Sequence, residues 1–320
     1  MPDSGFGWKK GSLPFSQLLL FSILFFLPVA LPSFFGWATG MFAVPVFYAL
    51  AFNGLGIGKN LLAISLALTG IGALALQQVD AFLFSIHVVP LGFVLYYSAR
   101  TGEPAALSGA KGFIALLVTW LLYWGVYGAV TGINPYHQLL KMLDGALQQT
   151  LELSSSQEAG LSPEMVLGLT QATAAMRETM PKVLPGLLLS MLLVTVWLNM
   201  IVINGLMART TGKAAWGAYA TWKLPDQLVW LPIGAAATML FGSGTVQEVG
   251  IWLVMIAGLL YFFQGLAVLM TLLTRWRVPP LVRTILYVVC FLQSYGLLLL
   301  ALLGLLDVWF NLRKNQESNA

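Results

Sequence analysis

Long apolar runs separated by short polar breaks dominate the chain. A bilayer-crossing helix needs roughly 20 predominantly apolar residues, with a range of about 17 to 25. Runs of that kind fall near 15–31, 36–53, 60–77, 81–98, 112–132, 183–207, 226–242, 249–273 and 284–307. Residues 15 to 53 are too many for one crossing, and Pro32 and Gly36 supply a turn, so the first two runs read as a hairpin. Lys9 and Lys10 precede the first run as they would in a signal peptide. No convincing small-x-small cleavage site follows, and further apolar runs do, so the segment is read as retained. The pattern predicts an all-α fold: a polytopic transmembrane helix bundle of about 8–9 spans, forming a single integral membrane domain over 1–320.

One stretch has a different period. Residues 133–182 are polar enough to leave the membrane. Asn134-Pro135 opens a helix whose apolar positions Leu139, Leu140, Leu143, Leu147 and Leu151 repeat with helical spacing. Residues 154–160 break it, and Ser162-Pro163-Glu164 then reads as N-cap, N1 proline and first-turn acid. Met165, Leu169, Ala172, Met176 and Met180 form the next stripe. The expectation is an extracytoplasmic amphipathic helical insertion, either a cap resting on the bundle or a lid over a cavity. No internal repeat of the kind found in inverted-repeat transporters is visible.

Composition agrees with the pattern. Of 320 residues, 58% are hydrophobic and 9% charged, against about 25% charged in soluble domains. The net charge of +4 is scattered, with neither a basic block suited to nucleic acid nor an acidic tail. The single cysteine, Cys290, cannot form an internal disulfide, so cysteine usage does not identify a redox compartment. Lys and Arg set the orientation. With nine spans and a cytoplasmic N-terminus, eleven Lys and Arg fall inside and five outside, and the inverse placement is worse. The misfit is Arg313 and Lys314, which would lie outside unless one weak segment does not cross or the last tract breaks near Gly296 and returns. The expected location is the bacterial cytoplasmic (inner) membrane, with the lipid bilayer as the first partner.

Chemistry is sparse. All 28 formally charged side chains can be placed in loops or at span ends, Asp80, Glu248 and Asp307 among them. Intramembrane charges usually mark ion or proton pathways, so this distribution argues against a proton-coupled pump. The glycine-rich stretch 54–60 resembles a phosphate loop, but Asn53 stands where its spacing needs glycine and Asn60 where Ser or Thr would bind magnesium. Ser243 lies between glycines with no histidine assigned near it, and His87 and His137 alone cannot form a metal cluster. The expectation is a non-enzymatic protein with no cofactor and no metal.

Uncharged polar groups remain inside the runs: His87, Asn199, Asn204, Gln264 and Gln293. Each needs a partner, because an unpaired amide in hydrocarbon costs several kcal/mol. Helix-to-helix hydrogen bonding is one use. The other is a neutral small molecule held between spans four, six and eight, with His87, Asn199, Tyr261, Gln264 and Gln293 as candidate ligand-binding residues. Ala63, Ala67 and Gly70 make one small-residue face of span three, and Ser65, Thr69 and Gly72 another; both suit close helix packing, internal or with a partner. In the polar stretch 221–230, Pro225 suits the first position of a helix and Asp226 its first turn, while Trp222 and Trp230 suit the interface. Lys223, Pro225 and Asp226 therefore read as a helix start at the inner surface or as a partner contact.

Three stretches carry a resemblance: Trp222-Lys223-Leu224-Pro225-Asp226, Leu260-Tyr261-Phe262-Phe263-Gln264-Gly265-Leu266-Ala267, and the closing run from Leu302 to Lys314 that holds Gly304, Asp307, Trp309 and Arg313. Together with length and span pattern, they resemble the YybS-like family of bacterial membrane proteins of unknown function. That family is in turn distantly similar to the substrate-binding membrane subunits of energy-coupling-factor vitamin transporters. The resemblance implies capture of a small molecule, with energy from a partner ATPase module. Such subunits dock through an Ala-x-x-x-Ala face on their first helix; here span one lacks it, and Ala63 and Ala67 in span three have the spacing. The sequence therefore points to a small-molecule-binding or transport-associated component, or else to a membrane scaffold or regulatory subunit acting through protein contacts. The first requires a polar pocket, the second mutually satisfied amides.

Overall fold

Prolines and short polar side chains open many of the helices. In the computed structural model, which describes residues 15–155 and 162–313, the regular elements among the described residues are all helical. They are α1 (Phe15–Ala30), α2 (Pro32–Phe35), α3 (Ala43–Ala75), α4 (Val79–Ile86), α5 (Val89–Arg100), α6 (Ala105–Thr131), α7 (Pro135–Ser155), α8 (Pro163–Thr211), α9 (Trp230–Phe241), α10 (Thr245–Arg275), α11 (Pro280–Leu292) and α12 (Ser294–Phe310), with 3-10 turns at 36–41, 219–221 and 226–229. Asn134 accepts the N–H groups of Tyr136 and His137 at the start of α7, and the Ser162 hydroxyl accepts that of Met165 at the start of α8. Both caps satisfy donors that a helix end leaves open.

By length and apolar content, five helical stretches are long enough to cross a membrane, or seven if each bent pair counts as one span. Fewer than the expected eight to nine qualify, for identifiable reasons. The expected runs 36–53 and 60–77 meet in one element, α3, broken at Gly54, where φ 71° and ψ 173° are open to glycine. The two limbs press together beyond the break: a Cβ on Gly58 would lie 2.8 Å from the Ala49 carbonyl oxygen. The expected seventh span contains a helix of only 12 residues, α9. The ninth is divided at Gln293, where α11 and α12 meet at a bend of 106°.

The core lies in two places. Phe25, Leu50, Leu61, Leu91, Leu95, Leu116 and Val196 join α1, α3, α5, α6 and α8, and all are essentially fully buried. Phe262, Leu266 and Leu300 join α10 to α12. Leu19, Leu20, Ile23 and Leu24 of α1 stay exposed, as do Leu121, Leu122 and Val126 of α6. Outward-facing leucines cost nothing in hydrocarbon, where helix association rests on close packing and interhelical hydrogen bonds. Close packing is marked by glycine: Cβ atoms on Gly265 and Gly304 would overlap the carbonyl groups of Leu300 and Tyr261, so α10 and α12 touch backbone to backbone. On α3, buried Ser65 and Thr69 and the nearby Gly72 form the packed face, with Gly72 against the Phe26 ring. Ala63 and Ala67 face outward.

The segment 133–182 forms a helical hairpin from α7 and the first part of α8; the expected break at 154–160 lies largely outside the described residues. The leucine stripe of α7 is half-buried, whereas Met165, Leu169 and Met176 of α8 are exposed. Asp144 and Arg177 join the two helices at 2.6 Å. No break separates the hairpin from the following apolar run, because α8 continues for 49 residues, roughly 73 Å at 1.5 Å per residue. It passes through Pro181 and Pro185. Pro185 has no N–H for the Pro181 carbonyl, and the Tyr136 hydroxyl donates to that oxygen at 2.9 Å. The next carbonyl, Lys182, accepts the Trp252 indole N–H at 2.6 Å. The proline-disturbed turn is thus capped from two sides.

Candidate ligand cavity and its polar brace

An apolar cavity of about 690 Å³ lies between the start of α6, the middle of α8 and the middle of α10. Its fourth wall is the irregular segment 219–228 between α8 and α9. Phe113, Leu193, Val196, Met200, Ile256 and Leu260 line its body, with Trp197 stacked on Phe263 at 4.5 Å to join α8 to α10. Lys223, Asp226 and Gln264 bring polar groups together at one side, and the Tyr219 hydroxyl and the Trp197 and Trp222 indoles add others. The volume is that of a drug-sized ligand site, and a mostly apolar lining with a few polar groups is the usual composition of one.

Segment 219–228 has little regular structure of its own, and polar contacts hold it in place. Asn204 of α8 donates to the Gly217 carbonyl at 2.7 Å and accepts the Trp216 N–H at 2.9 Å, which fixes the entry to the segment. The Tyr219 hydroxyl donates to the Phe263 carbonyl, and burial pushes its pKa well above the ordinary phenol value. The Thr271 hydroxyl donates to the Ala220 carbonyl. Gln264 accepts the Leu224 N–H at 3.2 Å and donates to Asp307 at 3.1 Å.

Asp307 completes the brace. It was expected at the interface; the structure buries it completely. Asn311 adopts the left-handed conformation that ends α12 and turns the chain back. Leu312 then donates its N–H to the Asp307 carboxylate, and Arg313 pairs with it at 2.6 Å. The remaining Arg313 donors reach the Ala220 and Trp222 carbonyls at 3.0 and 2.8 Å. Two buried ions are tolerable only when paired and fully hydrogen-bonded, and this pair meets both conditions. The three stretches that carried the family resemblance therefore meet at one place: Trp222 and Leu224, Gln264 and Gly265, and Gly304, Asp307 and Arg313.

The five residues expected to line a ligand site do not gather. His87 lies at the break between α4 and α5, where its ring contacts the Phe84 carbonyl and its own carbonyl accepts the Thr119 hydroxyl. Asn199 donates to the Gly40 and Thr195 carbonyls, bracing α8 against the turn at 36–41. Tyr261 is buried on α10, and among the described residues its hydroxyl has no hydrogen-bond partner. Gln264 alone of the five borders the cavity. Gln293 is exposed, because the ninth run breaks there and the residue lies between α11 and α12 rather than inside a span. The cavity also lies beside α6, the fifth expected span, rather than between the fourth, sixth and eighth.

The expected partner-contact residues divide as well. Lys223 and Asp226 pair at 2.9 Å and, with Pro225, border the cavity. Pro225 stands at the cap position before the 3-10 turn 226–229, one place earlier than the N1 position expected, because α9 itself begins only at Trp230. Ala63 and Ala67 lie on α3, outside the cavity lining. Sequence reasoning missed Arg313 and the apolar lining. Arg313 acts through the chain reversal at Asn311, and an apolar lining has the same composition as packed core.

Residues 19–308 match the family described as predicted membrane protein (DUF2232). No curated protein and no solved structure matches the chain.

Proposed function

Since the chain belongs to the predicted membrane protein family DUF2232, we propose that it is a non-enzymatic membrane component that captures a small molecule in the cavity between α6, α8 and α10. The cavity itself carries the reading: about 690 Å³ of apolar space with polar groups at one side, walled by a segment that polar contacts hold in position. The finer kinship, to YybS-like proteins and through them to substrate-binding subunits of energy-coupling-factor transporters, belongs to the same proposal. It would add an ATPase partner that releases or moves the captured molecule. We place the chain in the bacterial cytoplasmic membrane with segment 208–225 on the cytoplasmic face. Arg313 supports this orientation, because its contacts with Ala220 and Trp222 bring it to the side that already holds the excess of Lys and Arg.

The test is native mass spectrometry of protein taken from its own membrane into lipid nanodiscs. A small-molecule adduct is expected on the wild type and absent from Ala106→Trp, which fills the cavity from α6. Gly258→Trp, on an exposed position of α10 outside the lining, should keep the adduct. An adduct retained equally by Ala106→Trp would sink the capture reading. Scaffolding through protein contacts is the second reading, favoured by the outward-facing Ala63 and Ala67 and by the internally satisfied Asn204 and Gln264. It predicts a stoichiometric protein partner in place of a small molecule.

A further inference from the structure

The charges around the cavity cancel locally. Among the described residues, Lys223 and Asp226 are the only ionic side chains lining the cavity, and they pair with each other at 2.9 Å. Just beyond the α6 wall, Lys111 pairs with Glu103 at 2.5 Å. Behind Gln264, Arg313 pairs with Asp307 at 2.6 Å. Each pair is complete in itself, so these groups leave no net charge facing the cavity. The rest of the lining is apolar side chains, the Gln264 amide, the Tyr219 hydroxyl and the Trp197 and Trp222 indoles, and an ionic group brought there would lose water without gaining a counter-ion. A wholly apolar molecule is equally ill-matched at the polar side, because it would take water from Lys223 and Asp226 without offering a donor or acceptor.

From these observations we propose that the cavity selects an amphiphile of zero net charge, its apolar body among Phe113, Val196, Met200 and Phe263 and its neutral or zwitterionic head beside Lys223 and Asp226. This rests on the capture reading and names the class of molecule captured. The Lys223–Asp226 pair is the selectivity element. Both side chains are well exposed, at 40% and 63%, so changing either one alters the charge at the cavity without opening a hole in the core.

The experiment offers four amphiphiles with the same acyl or alkyl chain to delipidated protein in amphipol, and native mass spectrometry counts the adducts. The four probes are a monoacylglycerol, a lysophosphatidylcholine, a lysophosphatidylglycerol and an alkyltrimethylammonium. Wild-type protein is expected to retain the first two over the last two. Asp226→Asn, which leaves Lys223 unpaired, should shift retention toward lysophosphatidylglycerol, and Lys223→Gln toward the alkyltrimethylammonium. Each shift should be about two- to fivefold, the scale of an exposed charge pair. Equal retention of all four probes by the wild type, or preferences unmoved by both substitutions, overturns the proposal. Ala106→Trp separates the two levels. If it still binds the probes, they lie outside the cavity and the capture reading fails; if it loses them while charge makes no difference, only the selectivity is wrong.

Discussion

The Asp307 carboxylate receives the Arg313 guanidinium at 2.6 Å, with the aspartate fully buried and the arginine nearly so. The two are six residues apart, on either side of the left-handed turn at Asn311. Their pairing ties the end of α12 to the wall of the cavity, because the same guanidinium also donates to Ala220 and Trp222. Asp307→Asn leaves a buried cation unmatched and should cost about 3–5 kcal/mol, as should Arg313→Met through the abandoned carboxylate. The double change Asp307→Asn with Arg313→Met removes both charges and should recover much of that loss. Thermal unfolding in detergent measures all three; losses that simply add would show that the two side chains act separately.

Gly265 and Gly304 let α10 and α12 meet at their backbones, where a Cβ at either position would overlap a carbonyl of the other helix. Gly265→Leu is therefore expected to separate the helices and abolish the stable fold. Gly205→Leu, on α8 with open space around it, should be tolerated. Yield of monodisperse protein in detergent distinguishes the outcomes.

The Tyr136 hydroxyl serves a carbonyl that Pro185 leaves without its helical donor. Tyr136→Phe should cost about 1 kcal/mol in the wild-type background. In a Pro185→Ala background the restored N–H can satisfy the Pro181 carbonyl, and the same change should cost little. A double-mutant cycle on thermal stability reads the coupling; equal cost in both backgrounds would rule out this role for the hydroxyl.

Glu103 titrates outside the membrane-crossing segments, in the turn between α5 and α6. Hydrogen bonds from Lys111 and Ser98 hold its carboxyl below the usual carboxylate value. A lowered folded-state value means the contact stabilises fully above the unfolded carboxylate pKa and fades as pH falls through the folded one. Amide protection at residues 101–103, taken relative to the intrinsic exchange rate at each pH, should therefore fall on acidification in the wild type. Glu103→Gln should exchange faster at neutral pH and respond less to acid.

Local signals were legible in the chain. Asn134 and Ser162 cap the helices they were expected to cap, because a cap involves neighbours two or three residues away. The all-helical architecture was legible too, since span-length apolar runs leave few alternatives. Asp307 was not. Its position at the end of an apolar run is equally consistent with water, and its burial depends on Arg313 beyond a chain reversal and on Gln264, 43 residues earlier. Gln293 misled for the opposite reason: it reads as part of an apolar run, although the misfit of Arg313 and Lys314 already points to a break near Gly296, three residues beyond it. The candidate ligand residues do not meet at one cavity because amide N–H groups inside a bundle are drawn to backbone carbonyls, as those of Asn199 and Asn204 are. The space left over is lined by leucine, valine and aromatic rings.

The unbroken run of α8 makes it a single strut, with the hairpin at one end and Asn199 and Asn204 near the other. Its weakest turn is the one the two prolines disturb, and Tyr136 and Trp252 hold that turn from either side. The hairpin and the two asparagines therefore share one continuous helix, fastened between them by Tyr136 and Trp252.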